Sequence, residues 1–297
     1  MSFAPPRDPR AYQIAVLSGL LLWGVLGLDF ALTPAAAALA IGSALAAQWL
    51  FGRWAGLAGF EPRSALISAL SLCLLLRTSL PALAALGSVL AIGSKFALRL
   101  RGKHVFNPTN FALAVLMLVS DAAWVSPGQW GTSAFLAFLI ASLGGMVVHR
   151  ALRSDVTLAF LAGHATVLFG RAAWLGDPVA IPLHQIQSGS LLLFSFFMIS
   201  DPKTTPDSRL GRLLFGLLVA LGAGLVQFVL FRPSGPIWAL VVLSPLVPIL
   251  DRLLPGARHA WPHGGHHVPS DAARRVAAAA PAPAPGLVLL RLLRRQG

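Results

Sequence analysis

The sequence predicts an all-α polytopic membrane protein of about ten transmembrane helices, arranged as two inverted five-helix halves with both termini on the cytoplasmic side. Three observations predict this: apolar runs of bilayer length along most of the chain, the sidedness of the basic residues, and a self-similarity at an offset of about 120 residues. Of 297 residues, 56% are hydrophobic and only 11% charged, against roughly a quarter charged in a soluble domain. Most of the surface therefore meets lipid, and no stretch is left for a separate soluble catalytic domain.

The apolar runs place spans at 12–32, 35–51, 64–76, 80–97, 111–123, 133–148, 156–172, 188–199, 210–231 and 237–250. The runs at 64–76 and 188–199 are too short for a full crossing and require ends that are buried in protein or line a cavity. A basic start followed by an apolar run resembles a signal peptide with a cleavage site near Ala35-Ala36-Ala37. The run is longer than a signal core and its loss would break the repeat, so a retained first helix is expected.

The net charge of +13 reports topology rather than nucleic acid. With a cytoplasmic N-terminus, 20 of the 23 Lys and Arg residues fall on the inner side, and only Arg77, Arg171 and Arg232 on the outer. That bias is what the positive-inside rule demands of an N-in, C-in chain with an even number of spans. The location expected is a bacterial inner membrane. Cys73 is the only cysteine and sits inside a span, which excludes a disulfide framework, a cysteine-ligated iron–sulfur cluster and a zinc ribbon.

The repeat aligns Leu50-Phe51-Gly52-Arg53-Trp54 with Leu168-Phe169-Gly170-Arg171 and the following Trp174. It also pairs the break at Leu76-Arg77-Thr78-Ser79-Leu80-Pro81 with that at Ile199-Ser200-Asp201-Pro202, and Phe106-Asn107-Pro108-Thr109 with Phe231-Arg232-Pro233-Ser234. Five spans separate the members of each pair, so matching loops face opposite sides. Interrupted helices at matching positions of inverted halves point to a site near the midplane. The expected organisation is a cytoplasmic N-terminus at 1–10, a first repeat at 11–123, a second at 133–252, and a basic, Ala/Pro-rich cytoplasmic tail at 253–297. Near the end of that tail, Arg291, Arg294 and Arg295 share a helical face that suits an anionic leaflet.

Asn107 before Pro108 reads as an N-cap with proline at the first helical position, and Thr205 before Pro206 and Asp207 repeats the signal. Two such helix starts flanked by Lys103, His104, Lys203 and Thr204 suit an anionic or carbonyl-bearing ligand, although a single cap more often only caps. His164 is the deepest ionisable residue in a span, whereas Asp29, Arg77 and His149 lie near helix ends where they can reach water. His259, His263, His266 and His267 lie in a Gly/Pro-rich tail where a metal site is not expected. The chain has no phosphate-binding loop, Ser-His-Asp order or paired carboxylates, and Glu61 is its only glutamate, so hydrolysis is not expected.

The runs Lys103-His104-Val105-Phe106-Asn107-Pro108-Thr109-Asn110-Phe111 and Phe196-Phe197-Met198-Ile199-Ser200-Asp201-Pro202-Lys203-Thr204-Thr205-Pro206 resemble two related membrane proteins: the D component of the Rnf electron-transport complex and the B component of the sodium-translocating NADH:quinone oxidoreductase. The likeness is nearest to the short stand-alone branch labelled enediyne-biosynthesis membrane protein and extends over 12–252. It implies a ten-helix inverted-repeat fold similar to urea transporters, with flavins that help carry electrons across the bilayer. Many members attach FMN to a threonine in a Ser/Thr-Gly-Ala-Thr motif before the sixth span. Here 121–132 holds no such tetrapeptide, and the nearest echo, Gly163-His164-Ala165-Thr166, falls inside a span. No covalent FMN is expected; a flavin, as riboflavin or FMN, would be non-covalent.

Lys103, Asn107, Thr109, Asn110, Asp201, Lys203, Thr204 and Thr205 match the resembling motifs and are the expected flavin or quinone ligands, with no catalytic acid–base residue and no metal. The function expected is transmembrane electron transfer, with or without coupled ion movement. The chain would be an electron-carrying or non-catalytic subunit of an oxidoreductase complex. Its partners would be the membrane and other redox subunits or flavoproteins, with homo-oligomers compatible and nucleic acid not. The alternative from a different class is a channel or transporter for a small polar solute without a redox cofactor, and a scaffold subunit is a third.

Overall fold

In the computed structural model, which describes residues 8–57, 59–130 and 133–259, proline opens each of the first five helices. These are α1 (Pro9–Gly27), α2 (Pro34–Trp54), α3 (Pro62–Leu75), α4 (Pro81–Ala97) and α5 (Pro108–Val119). At that position proline's missing N–H has no helical partner to lose, and its fixed φ is already helical. Asp8, Thr33 and Asn107 cap three of these starts, their side chains accepting from the N–H groups of Arg10, Ala36 and Asn110.

The chain continues through α6 (Ala134–Arg150), α7 (Ser154–Leu175), the short α8 (Ala180–Ile186), α9 (Gly189–Leu193), α10 (Arg209–Phe228), α11 (Gly235–Leu243) and α12 (Val247–Leu253). A π turn over Phe194–Met198 prolongs α9, and a 3-10 turn over Ser244–Leu246 joins α11 to α12. Ser208, not Thr205, caps α10, because its side chain accepts from Gly211 N–H while Thr205 turns inward. Two short antiparallel ladders interrupt the helical plan: β1 (Leu76–Thr78) pairs with β4 (Ala123–Val125), and β2 (Arg99–Leu100) with β3 (Lys103–His104). Alternation is undetectable in segments of two or three residues, which is why the sequence shows no strand signal there.

Five helices are long and apolar enough to cross a membrane: α1, α2, α7, α10 and the continuous stretch Gly235–Leu253. Five more apolar helices are shorter, namely α3, α4, α5, α6 and Gly189–Met198. The chain is a multi-pass, helical membrane protein. Large apolar side chains face outward on most of these helices, and Trp54 and Trp174, 79% and 84% exposed, close α2 and α7. Tryptophan at helix ends suits the membrane–water boundary.

The two short segments named by the sequence are the most enclosed. Every residue from Ser68 to Leu76, and from Gly189 to Ser200, is buried. Around them α1 packs on α3, α2 on α4 and α4 on α5, while α6 packs on α9, α7 on α10 and α10 on α11. In lipid the hydrophobic effect does not press helices together, so small residues set how closely they approach. A Cβ on Gly216 of α10 would stand 2.8 Å from the Val156 carbonyl oxygen of α7, and one on Gly235 2.5 Å from that of Ala223.

Side-chain contacts fall into two groups. At the end holding most of the basic residues, the inner end below, Arg63 pairs with Asp8, Arg10 with Glu61, Arg212 with Asp155, and Arg150 lies over the Tyr12 ring. At the outer end Phe30 meets Trp130 edge-on, and Gln129 donates to the Leu74 carbonyl. Arg77, expected to reach water, is instead buried there. Its guanidinium donates to the Cys73 and Leu76 carbonyls and lies over the Phe30 ring. The helix end turns inward to form β1, carrying the arginine into the protein. The tail from 260 onward, with its three later histidines and its basic terminal stretch, lies outside the described residues.

Candidate functional site: an inner polar cluster and an outer cavity

The residues singled out by the sequence converge at the inner end although they come from segments about 90 residues apart. Asn107 caps α5 through its Oδ1, and its Nδ2 donates to the Met198 carbonyl at 3.2 Å and to Asp201 Oδ2 at 3.4 Å. The turn at 201–205 is built on Asp201. Its Oδ1 accepts from Lys203 N–H at 2.9 Å, and its carbonyl accepts from the hydroxyls of Thr204 and Thr205 at 3.3 and 3.1 Å. Thr205 Oγ1 also accepts from Arg153 Nε.

Lys103, on β3, holds the next layer. Its ammonium donates to the Thr205 carbonyl at 2.7 Å, Asp207 Oδ1 at 3.0 Å and Asp251 Oδ2 at 2.7 Å. Deeper along α5, Thr109 donates to the Ser68 carbonyl, and Asn110, 1% exposed, donates to that of Ile237 at 3.1 Å. Asn110 Oδ1 has no hydrogen-bond partner, and the Lys203 ammonium makes no hydrogen bond among the described residues.

The electrostatics follow from this enclosure. Burial pushes the Asp201 carboxyl above the ordinary carboxylate range, against the downward pull of the Lys203 N–H and of the Lys95, Lys203 and Arg153 charges. Burial also lowers His104 to about 4, and the charges of Arg99, Lys95 and Lys203 add to the effect. Lys95, at the inner end of α4, donates to Ser64 at 2.7 and 3.0 Å.

All eight predicted ligands thus stand toward the inner end, and most of their polar atoms are already held by groups of the protein. The space beside Lys103, His104, Asp207 and Asp251 is about 170 Å³, below the roughly 300 Å³ at which pockets for drug-sized ligands begin. A cavity of about 400 Å³ lies elsewhere, at the outer end, between the close of α3, the middle of α7, α8, α9 with its π turn, and the start of α11. None of the eight lines it, but His164 does, with Ser188, Gln185 and Gln227. The sequence pointed to His164 through its depth in an apolar span. Ser188 and Gln227 carried no such signal, because polar residues at span ends are ordinary.

The cluster and the cavity share two residues. Met198 and Ile237 line the cavity, and their carbonyls accept from Asn107 and Asn110.

Comparison with known proteins bears on the second half of the chain. The NQR2, RnfD, RnfE family profile matches residues 118–258. The D component of the ion-translocating oxidoreductase complex of Mannheimia succiniciproducens is 33% identical over 118 residues, covering 39% of this chain and 32% of that protein. The same components of Citrobacter koseri and Escherichia coli are 29% and 31% identical over 136 and 138 residues, each match covering 45% of this chain and 36% of the relative. The matched region spans about a third of the length of these relatives, and it includes the 201–205 turn and most of the cavity wall but not Lys103–Asn110. Through residues 118–258, this chain is similar to the NQR2, RnfD, RnfE family.

Proposed function

We propose that this chain is a membrane subunit for transmembrane electron transfer, working with other redox subunits in a bacterial inner membrane and holding a flavin non-covalently. The observation that carries this reading is the family match, whose named relatives are subunits of ion-translocating oxidoreductase complexes. Coupled ion movement belongs to the same reading.

The proposed architecture is ten crossings in two inverted five-helix halves. The packing supports it, because the contacts α1 on α3, α2 on α4 and α4 on α5 recur as α6 on α9, α7 on α10 and α10 on α11. Helices α1 with α6, and α5 with α11, meet across the two halves, as elements near a pseudo-two-fold axis should. Trp54 and Trp174, matched by the sequence repeat, end α2 and α7 in the same exposed manner.

The eight inner residues are proposed as the polar contacts for the flavin, with Lys203 and Asn110 supplying the atoms not already used. As it stands, the cluster does not fit a three-ring flavin: only about 170 Å³ is open beside it. A flavin bound there has to part Lys103 from Asp207 and Asp251.

The test is the visible spectrum of the detergent-purified protein before and after acid precipitation, with any released pigment identified by chromatography. Stoichiometric flavin in the supernatant is expected. Lys203→Ala should lower flavin retention without unfolding the protein, because the ammonium holds no other element in place. Asp201→Ala is the poorer probe, since Asp201 builds the turn itself. A colourless protein would overturn the flavin reading and move the function to solute transport, tested by flux into liposomes.

A further inference from the structure

We propose that the inner pocket beside the β2–β3 hairpin is a binding site for a phosphate group, held between the guanidinium groups of Arg101 and Arg258. The hairpin turns at Arg101 and Gly102, both in the left-handed region with φ of 52° and 80°. Arg101 and Lys103 flank Gly102, and Arg258 Nη1 stands 3.9 Å from where a Cβ on Gly102 would lie. All three cations line one space of about 170 Å³, together with Asp207 and Asp251.

The charges of this lining do not balance. Lys103 is committed to both carboxylates, at 3.0 and 2.7 Å, and Asp251 Oδ1 also accepts from the Asp207 N–H. Arg101 and Arg258, by contrast, form no hydrogen bond and no ion pair among the described residues. Three cations against two carboxylates leave the pocket one positive charge in excess, and His104, kept neutral down to about pH 4, adds none near neutrality. Residues 260–297 bring five arginines against the single carboxylate side chain of Asp271, so they add positive charge rather than a counter-ion.

Shape and setting select phosphate. Guanidinium groups stay charged and present paired donors that match the oxygens of a phosphate. Four oxygens, each taking about the 30 Å³ of a water molecule, fit the space, whereas a larger body has to project out of it. Its rim is apolar: Leu100 on the lining is exposed, and so are Ile249 and Leu253 on α12, which also supplies Pro248 and Asp251 to the wall. Helix α12 closes the membrane-length stretch Gly235–Leu253. Acyl chains continuing from a phosphate in the pocket can lie along that rim, and basic pockets between spans on the inner side recur as sites for lipid head groups. Free phosphate offers the same group without the chains.

The probe is radiolabelled inorganic phosphate, measured by equilibrium dialysis against the purified full chain in non-ionic detergent, with ionic strength held constant by chloride. Phosphorus carried through purification, other than that of any flavin, is assayed on the same sample and counted as bound. Expected is one phosphate per chain, held at least tenfold more weakly by the double variant Arg101→Gln, Arg258→Gln. Both side chains are exposed and hold no other element, so the variant should keep the wild-type melting temperature in chloride. Arg232→Gln, at the outer end, should bind as the wild type does. No saturable phosphate, equal binding by the double variant, or an equal loss in Arg232→Gln overturns the proposal.

Displacement of the label by dihexanoylphosphatidylglycerol at lower concentration than by unlabelled phosphate assigns the group to a membrane lipid. Displacement only at equal or higher concentration assigns it to free phosphate. The inference stands apart from the flavin reading, because neither arginine is among the eight residues proposed to contact the flavin. A colourless protein that binds phosphate sinks only the flavin, and a yellow protein that neither carries nor binds phosphate sinks only the pocket.

Discussion

The inner cluster and the outer cavity hold similar polar side chains, yet one region has spent them on itself and the other has not. At the inner end Lys103 satisfies two carboxylates and a carbonyl, and Asp201 organises three residues of its own turn. At the outer end His164 Nδ1 and Ser188 Oγ are left without hydrogen-bond partners beside a space of about 400 Å³. Polar residues are costly in a membrane protein wherever they are enclosed. Groups paired with each other serve the fold, whereas groups left unpaired cost it stability.

Substitutions should separate the two regions. The largest effect is expected for Lys103→Ala, which leaves Asp207 and Asp251 close together and largely buried without their cation. Removing one partner of such a set costs about 3 kcal/mol, read as a clear fall in the melting temperature in detergent. A melting temperature within a degree of the wild type would mean that the cluster is not structural.

Smaller, and dependent on pH, is the contribution of His104. The unfolded chain takes up a proton near pH 6.5, whereas the folded protein keeps His104 neutral to about pH 4. The unfolded state therefore binds more protons between these values, and folding loses up to about 1.4 kcal/mol per pH unit as pH falls. Above 6.5 the stability from this group is complete. His104→Gln should flatten the melting-temperature profile from pH 6.5 to 4; an unchanged slope would show that His104 protonates freely in the folded protein.

The smallest effect on folding is expected for His164→Phe, within about 1 kcal/mol in either direction, because the variant keeps an aromatic ring against Phe160 and removes an unpaired buried nitrogen. A large stability loss would reverse the roles given to the two regions.

Much of the helical plan was legible in the chain. Asn107-Pro108 gave a true helix start because cap and proline act within four residues, and the short enclosed segments were marked by their length alone. Thr205-Pro206 misled, since the same residue types also build turns, and Ser208 two residues beyond Pro206 made the cap. Arg77 misled because whether a helix-end arginine reaches water depends on β4, which pairs with its strand from 46 positions further on. The motifs carrying these residues were visible in the chain, but the bonds that hold them to distant segments were not.

The sequence by itself determined that lipid is the solvent and where many of the helices begin, since hydropathy and caps are local properties of the chain. Only the tertiary structure decided which polar atoms are paired. Lys103 finds Asp251 148 residues away and Asn110 finds Ile237 127 residues away, while His164 Nδ1 finds nothing. Hydrogen bonds act over about 3 Å, so which of these groups would be satisfied, and which left unpaired, was fixed only when the helices packed.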